Sequence, residues 1–270
     1  MELSINQSLI SYSLMSVSCR SNRRSIKVLL INPNATSTMT QSCLDMLEPT
    51  LPSDVIVTAF TAPVPSPSAI ESHVDNVLSS TVSFSAILPI ANEYDAFLVA
   101  CYSDHALTNM LREELEQPVI GIMEASLVAA RTLGGRFGIV ATGGQSEIGL
   151  RDAVRKYGYE HFCAGVKSCN LGVLDLERKP EKEVLGIMCT VAKSLVDDYS
   201  ADVITLGCAG MSRLKAAVED TVGPGVQVLD GVLAGVQLLA GLVRMGGHTA
   251  KKGLYRSSKV TRENRGQSYV

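Results

Sequence analysis

Short apolar runs rich in Val, Ile, Leu and Ala alternate along this chain with longer stretches whose apolar positions recur every three to four residues. That alternation marks βα units feeding a parallel sheet. The runs predict strands at 27–31, 55–60, 96–100, 119–123, 137–141, 201–206 and 226–229. Each of the last three has an earlier counterpart. Lys27-Val-Leu-Leu-Ile-Asn-Pro-Asn parallels Phe137-Gly-Ile-Val-Ala-Thr-Gly-Gly, and Tyr94-Asp-Ala-Phe-Leu-Val-Ala-Cys parallels Ser200-Ala-Asp-Val-Ile-Thr-Leu-Gly-Cys. Val119-Ile-Gly-Ile-Met-Glu, followed by an apolar helix, parallels Val226-Gln-Val-Leu-Asp, also followed by one. The paired landmarks keep their order at offsets between 106 and 112 residues. Any parallel α/β chain repeats strand-loop-helix units, so a plain repeat of that kind is the alternative. The shared order and spacing favour duplication, and hence two pseudo-symmetric parallel-sheet α/β domains with a cleft between them.

Composition narrows the partners. With 270 residues the chain is long enough for one large core or two smaller ones. A net charge of −3, 5% aromatic residues and no Trp provide neither the basic field nor the stacking platforms that nucleic acid needs. The apolar stretch 226–243 is interrupted by Gln227, Asp230 and Gln237 and reads as a strand followed by a helix, so no membrane segment is expected. The Ser-rich residues 1–25 carry Arg20, Arg23 and Arg24 after their short apolar stretch, which is a poor secretory signal. A disordered N-terminal extension and a cytoplasmic protein are the expectation, with a mitochondrial presequence as the alternative. Chains of this size and class often self-associate symmetrically, so a homo-oligomer is expected.

Seven cysteines form no C-x-x-C pair and have no His at metal-ligand spacing, so neither a disulfide frame nor a metal site is expected. Most read as buried thiols. Cys101 and Cys208 differ: they are equivalent under the duplication, and each ends a predicted strand just before a predicted helix. Ligands of open α/β sheets bind beyond the carboxyl ends of the strands, so the two thiols are expected to face each other across a small-molecule substrate. A helix start lowers a thiol's pKa. Two like groups on opposite faces of a C–H stereocentre suit proton removal from one side and return from the other. Backbone N–H groups of Tyr102, Ser103, Ala209 and Gly210 are the expected donors to the resulting enolate. The scheme needs no cofactor.

Several ordered motifs carry a family resemblance: Ile31-Asn-Pro-Asn-Ala-Thr-Ser-Thr-Met-Thr, Ala100-Cys-Tyr-Ser-Asp-His-Ala-Leu, Pro118-Val-Ile-Gly-Ile-Met-Glu-Ala and Leu206-Gly-Cys-Ala-Gly-Met. Together with Pro63–Glu71 and Thr249–Tyr255, they resemble the hydantoin and allantoin racemases of the aspartate/glutamate racemase superfamily over about Ile26 to Tyr255. The Cys-Tyr-Ser-x-His form resembles a branch associated with fungal nitrogen catabolism. The resemblance implies a two-domain α/β fold, proton transfer beside a carbonyl in a five-membered ureido ring, and no metal or pyridoxal cofactor. It assigns the catalytic cysteines to Cys101 and Cys208 and a substrate loop to Asn32, Pro33 and Asn34. It also implies that the C-terminal helix returns to the first domain, giving a first domain of 26–118 plus 226–248, a second of 119–225 and a tail over 249–270.

Bland readings stand beside several of these. Asn32 and Asn34 satisfy a turn and N-cap as well as a ligand contact. Thr142 and Gly143 open a helix and are candidates for substrate binding, though a strand-to-helix turn wants glycine regardless. His105 reads first as a polar helix residue and second as a group tuning Cys101. Glu124 and Asp230 sit at equivalent strand ends, as candidates for ureido N–H groups or as acidic helix starts. Cys43, Cys163, Cys169 and Cys189 read as core, and the residues beyond Lys251 as a solvated, mobile tail. Two rivals to a cofactor-independent racemase remain: a same-fold isomerase or decarboxylase of a small diacid, and an inactive metabolite-binding homologue.

Overall fold

A computed structural model describes residues 24–267 of the chain. Nearly all of the N-terminal extension, with Cys19, lies outside the described residues. The elements in order are β1 (Ile26–Asn32), α1 (Ser37–Leu47), β2 (Val55–Thr61), α2 (His73–Ile87), β3 (Ala96–Val99), α3 (Ala106–Glu114), β4 (Val119–Gly121), α4 (Ile122–Leu133) and β5 (Phe137–Ala141). They continue with α5 (Gly144–Lys156), β6 (Cys163–Ser168), α6 (Asp175–Arg178), α7 (Glu181–Asp197), β7 (Val203–Leu206), α8 (Lys215–Val222), β8 (Gln227–Leu229), α9 (Gly231–Arg244) and α10 (Lys259–Asn264).

The strands form two four-stranded sheets, ordered β2-β1-β3-β4 and β6-β5-β7-β8, and every pairing is parallel. The two orders are the same permutation, as duplication requires. β6 is the strand that the hydrophobic pattern misses. Its sequence Cys-Ala-Gly-Val-Lys-Ser buries only Val166 fully, because it lies at a sheet edge. Such a strand is fixed by its ladder to β5 and not by an apolar run of its own.

Alternation along the strands divides the protein into three packed layers. Val28, Leu30, Ala96 and Leu98 face a central core, whereas Leu29, Ile31, Phe97 and Val99 face an outer core under α2 and α3. In the second sheet Phe137, Ile139 and Val203 join the same central core, and Val140, Ile204 and Leu206 face an outer core that includes Val184, Met188 and Leu195 of α7. The central core is therefore shared by both sheets.

Helix exchange creates that sharing. α4 follows the last strand of the first sheet but reaches β7 and β8, and α9 follows the last strand of the second sheet but packs on β3 and β1. The two helices lie against each other between the sheets. The boundaries expected from sequence shift accordingly. β4, expected at the start of the second domain, pairs with β3, and β8, expected in the first domain, pairs with β7. The helices change sides; the strands before them do not.

The segment from Lys251 onward, expected to be a mobile tail, is solvent-exposed for most of its length but tied to α3. The Lys251 ammonium donates to the carbonyl oxygens of Arg112, Glu113 and Leu115, where the helix ends. Arg262 and Ser257 both bond the Glu114 carboxylate. A second feature went unread in the sequence. Together with the turn that follows it, α2 spans His73–Glu93, a helix long and apolar enough to cross a membrane by length and composition, of which only 33% is buried. Ser79, Ser80, Ser83 and Ile87 form the inward face of α2.

The α4–α9 contact depends on Gly231. A Cβ built there would lie 2.6 Å from the backbone oxygen of Ile122 and 2.7 Å from Ser126 Oγ. Since backbone cannot rotate away as a side chain can, Gly231→Ala is expected to cost about 1–3 kcal/mol of stability by forcing the helices apart. Urea unfolding measures this as a lower midpoint at unchanged slope.

Candidate active site

Parallel strands end on one side of their sheet, and here the carboxyl ends of the two sheets open onto a single cavity of about 300 Å³. Asn32, Asn34, Cys101, Tyr102 and Ser103 line it from the first domain, and Thr142, Cys208, Ala209 and Gly210 from the second. Cys101 and Cys208 therefore share one void.

Their settings differ from the helix-start expectation. Cys101 is followed by a loop, and α3 begins only at Ala106 with His105 as its N-cap. Cys208 caps a 3-10 turn, Ala209–Leu214, that runs into α8. Burial outweighs any dipole effect: the Cys101 thiol is pushed up to about 12 and the Cys208 thiol to about 11 from the ordinary value near 9. Local donors oppose the shift without cancelling it. Ser103 Oγ lies 3.2 Å from Cys101 Sγ, and the Gly210 N–H reaches toward Cys208. Charge on Cys208 adds a smaller push on Cys101 in the same direction as burial.

Gly207 sets the position of Cys208. A Cβ there would sit 2.5 Å from the Val140 carbonyl oxygen, so only glycine lets β7 pass β5 this closely just before the thiol.

Asn32 organises the first-strand loop. Its Nδ2 donates to Asn34 Oδ1, the Thr36 carbonyl and Thr40 Oγ1, each at 3.0 Å, while its Oδ1 accepts from the Asn34 N–H. Its hydrogen-bonding capacity is largely used by the protein. Asn34 Nδ2 meets only the soft Met39 sulfur, at 3.4 Å, and keeps more to offer a ligand. Pro33 is not among the cavity-lining residues; its carbonyl instead accepts from Ser66 Oγ at 2.6 Å. Thr142 Oγ1 bonds Ser146 within the site. Gly143 N-caps α5 and is not among the cavity-lining residues; a Cβ on it would lie 3.7 Å from the Leu171 carbonyl oxygen.

Among the expected backbone donors, the Ser103 N–H is already committed to the Cys101 carbonyl at 3.0 Å. Among the described residues none accepts from the N–H of Tyr102 or Ala209. The Tyr102 side chain points away from the cavity mouth, its hydroxyl donating to Thr205 Oγ1 at 2.8 Å across the domain boundary.

Three further readings change. His105 lies on no exposed helix face. It is buried between the hydroxyls of Ser79 and Ser80, and burial lowers its pKa to about 4. Glu124 accepts from Arg112 Nη2 at 2.7 Å, and Asp230 caps α9 through the N–H groups of Val232 and Leu233 while accepting from Ser212 Oγ. Both acids are structural. Cys43, read as core, is buried on α1 but lines the cavity near Cys208, and its thiol is pushed up to about 12.

Sequence reasoning missed the mouth of the cavity. Glu71, Ser72, His73 and Asn76 reach it from the start of α2, and Gln145, Ser146 and Lys156 from α5. Several of these residues join the two domains. Glu71 Oε1 accepts from the Val173 N–H at 2.6 Å, Thr38 Oγ1 donates to Glu177 at 2.7 Å, and Asp104 accepts from Lys156 and from Tyr157. Charged groups at the cavity are mainly acidic: Glu71, Asp104 and Asp152 against Lys156, which Asp104 already pairs. Among the described residues no cluster of His, Cys, Asp or Glu has the makings of a metal site.

Comparison with known proteins agrees with this architecture. Residues 28–239 match the family model described as Asp/Glu/Hydantoin racemase. An uncharacterised protein of Schizosaccharomyces pombe is 40% identical over 86% of this chain and 98% of its own length. The hydantoin racemase of Pseudomonas sp. strain NS671 is 34% identical over 86% of this chain and 91% of its own. Among solved structures, allantoin racemase from Pseudomonas fluorescens superposes with a TM-score of 0.81 at 26% identity, covering 86% of this chain and 97% of that one. With two like sheets, a shared cleft and a family match across most of its length, the chain belongs to the Asp/Glu/hydantoin racemase family, on its hydantoin and allantoin racemase side, and is a racemase.

Proposed function

We propose that the protein interconverts the enantiomers of a five-membered ureido ring of the hydantoin or allantoin type, with Cys101 and Cys208 exchanging roles as base and acid. The observation that carries this reading is the convergence of two thiols, one from each half of a duplicated fold, on one small cavity. In one direction the thiolate of one cysteine takes the proton from the ring carbon beside the carbonyl. The C–H electron pair passes into an enolate, whose oxygen the Tyr102 and Ala209 N–H groups stabilise, while the Gly210 N–H stays with the Cys208 sulfur. The thiol of the other cysteine then protonates the opposite face. Negative charge on Cys208 disfavours negative charge on Cys101, which favours one base and one acid at a time.

Cavity charge favours a neutral ring over a small diacid. With Glu71, Asp104 and Asp152 at its walls and Lys156 engaged by Asp104, the site has among the described residues no unpaired lysine or arginine to offer a dicarboxylate. Cytoplasmic location and a part in nitrogen metabolism belong to this same proposal.

Three outcomes test the reading. Cys101→Ala and Cys208→Ala are each expected to lower racemisation by about 10²–10⁴-fold, measured by polarimetry; near-normal turnover in either variant would sink the two-thiol scheme. In D2O, the wild-type chain is expected to exchange the ring C–H of allantoin or a 5-substituted hydantoin while leaving a malonate-type diacid untouched, as read by proton NMR. A chain that binds the ring, shown by a raised melting temperature, without exchanging its C–H would instead be an inactive homologue.

The third concerns pH. Both thiols hold their protons well above the ordinary range, so the reactive anion grows about tenfold with each pH unit from 7 to 10. Inactivation by iodoacetamide is expected to follow that slope, with Cys208 labelled ahead of Cys101 by peptide mass analysis. A rate that levels off below pH 8 would show the thiols to be acidic.

A further inference from the structure

We infer that Ser103 is a positioning residue acting through Cys101: its hydroxyl holds the sulfur whether the thiol carries its proton or not, where Cys208 has a partner for its anion alone. The inference rests on the reading of the two cysteines as alternating base and acid.

Ser103 and Gly210 are counterparts under the duplication, each two residues beyond its cysteine. Their turns nevertheless close differently. After Cys208 the Met211 N–H bonds the Cys208 carbonyl at 3.0 Å, which leaves the Gly210 N–H to reach the sulfur. After Cys101 the turn is one residue tighter: the Ser103 N–H itself bonds the Cys101 carbonyl, also at 3.0 Å, and is lost to the thiol. The side chain takes over. Its Oγ lies 3.2 Å from Cys101 Sγ and has no other hydrogen-bond partner among the described residues.

The exchange of a backbone donor for a hydroxyl changes the chemistry. An N–H only donates, so the contact at Cys208 favours the thiolate and offers the thiol nothing. A hydroxyl donates and accepts, and either atom of the Ser103–Cys101 pair is able to be the donor. When Cys101 is the base, the Ser103 O–H donates to the thiolate. When Cys101 is the acid, its S–H rests on Oγ and swings about the Cβ–Sγ bond to the ring carbon. Ser103 neither gains nor loses a proton in either direction. The sulfur keeps its place through both, as proton transfer to a fixed carbon requires.

Two measurements on the full-length protein test this, and the first needs no substrate. Labelling by iodoacetamide at pH 8, followed by peptide mass analysis, reads Cys101 against Cys208 in one sample. Ser103→Ala is expected to slow labelling of Cys101 about three- to tenfold relative to Cys208, because its thiolate loses a hydrogen bond and only part of that loss returns as nucleophilicity. Ser103→Thr keeps the hydroxyl, and its methyl has the cavity to occupy, so it is expected to restore the ratio to within about twofold. Other ionisable groups at the cavity, among them Cys43, Glu71, His73, Asp104, Asp152 and Lys156, are the same in all three chains, so a change confined to Cys101 belongs to residue 103. In racemisation, Ser103→Ala is expected to lower kcat about 10- to 100-fold with KM within about twofold of wild type, and Ser103→Thr to recover most of the rate. Circular dichroism checks that both variants are folded. Cys101 labelling that is unchanged or faster in Ser103→Ala, a threonine variant as impaired as the alanine one, or a loss confined to KM would each overturn the inference. A wild type that racemises neither ring, yet whose Cys101 labelling follows residue 103, would overturn the reaction assigned above while supporting the hold of the hydroxyl on the thiol.

Discussion

The exchange of α4 and α9 between the two sheets is the contact on which the remaining structure depends. Each helix leaves the last strand of one sheet and packs toward the other, and the two meet where Gly231 passes the backbone of Ile122. Without this exchange the halves would be two small domains joined by loops, each with one apolar sheet face exposed. With it, Val28, Leu98, Phe137, Ile139 and Val203 enter a single core. Their burial fixes the spacing between the strand ends that carry Cys101 and Cys208.

A rigid base and an adjustable mouth follow from this arrangement. Beneath the thiols the links are backbone and core: Gly207 against Val140, the Tyr102–Thr205 hydrogen bond, and the Asn32 side chain held by four hydrogen bonds to Asn34, Thr36 and Thr40. At the rim the domains meet through exposed ion pairs and side-chain hydrogen bonds such as Asp104–Lys156 and Thr38–Glu177. Interactions of that kind contribute little stability each and are easily exchanged for water. The part that must hold two proton-transfer groups in register is therefore the better-packed part.

The electrostatics of the cleft show which effect wins when two compete. A thiol at a helix start gains from the dipole, and a thiol out of contact with bulk water loses solvation of its anion. Here burial dominates at Cys101, Cys208 and Cys43, leaving three weakly acidic thiols around one cavity. His105 obeys the same rule with opposite sign, since burial between two serine hydroxyls disfavours its cation. It serves as a structural cap beside the site.

Hydrophobic periodicity and the repeated landmarks were enough to establish the parallel strands, the duplication and the equivalence of Cys101 with Cys208, because these depend on local patterning and order along the chain. The edge strand β6 escaped, since its position comes from pairing with β5 and not from its own composition. So did the domain to which β4 and β8 belong, because which way a following helix crosses is decided by packing between distant segments. The cavity mouth on α2 and α5, the commitment of the Ser103 N–H to Cys101, and the absence of Pro33 and Gly143 from the cavity lining likewise depend on three-dimensional closure. A linear sequence carries the residue types that chemistry requires; only the folded chain decides which of their atoms remain unclaimed for a substrate.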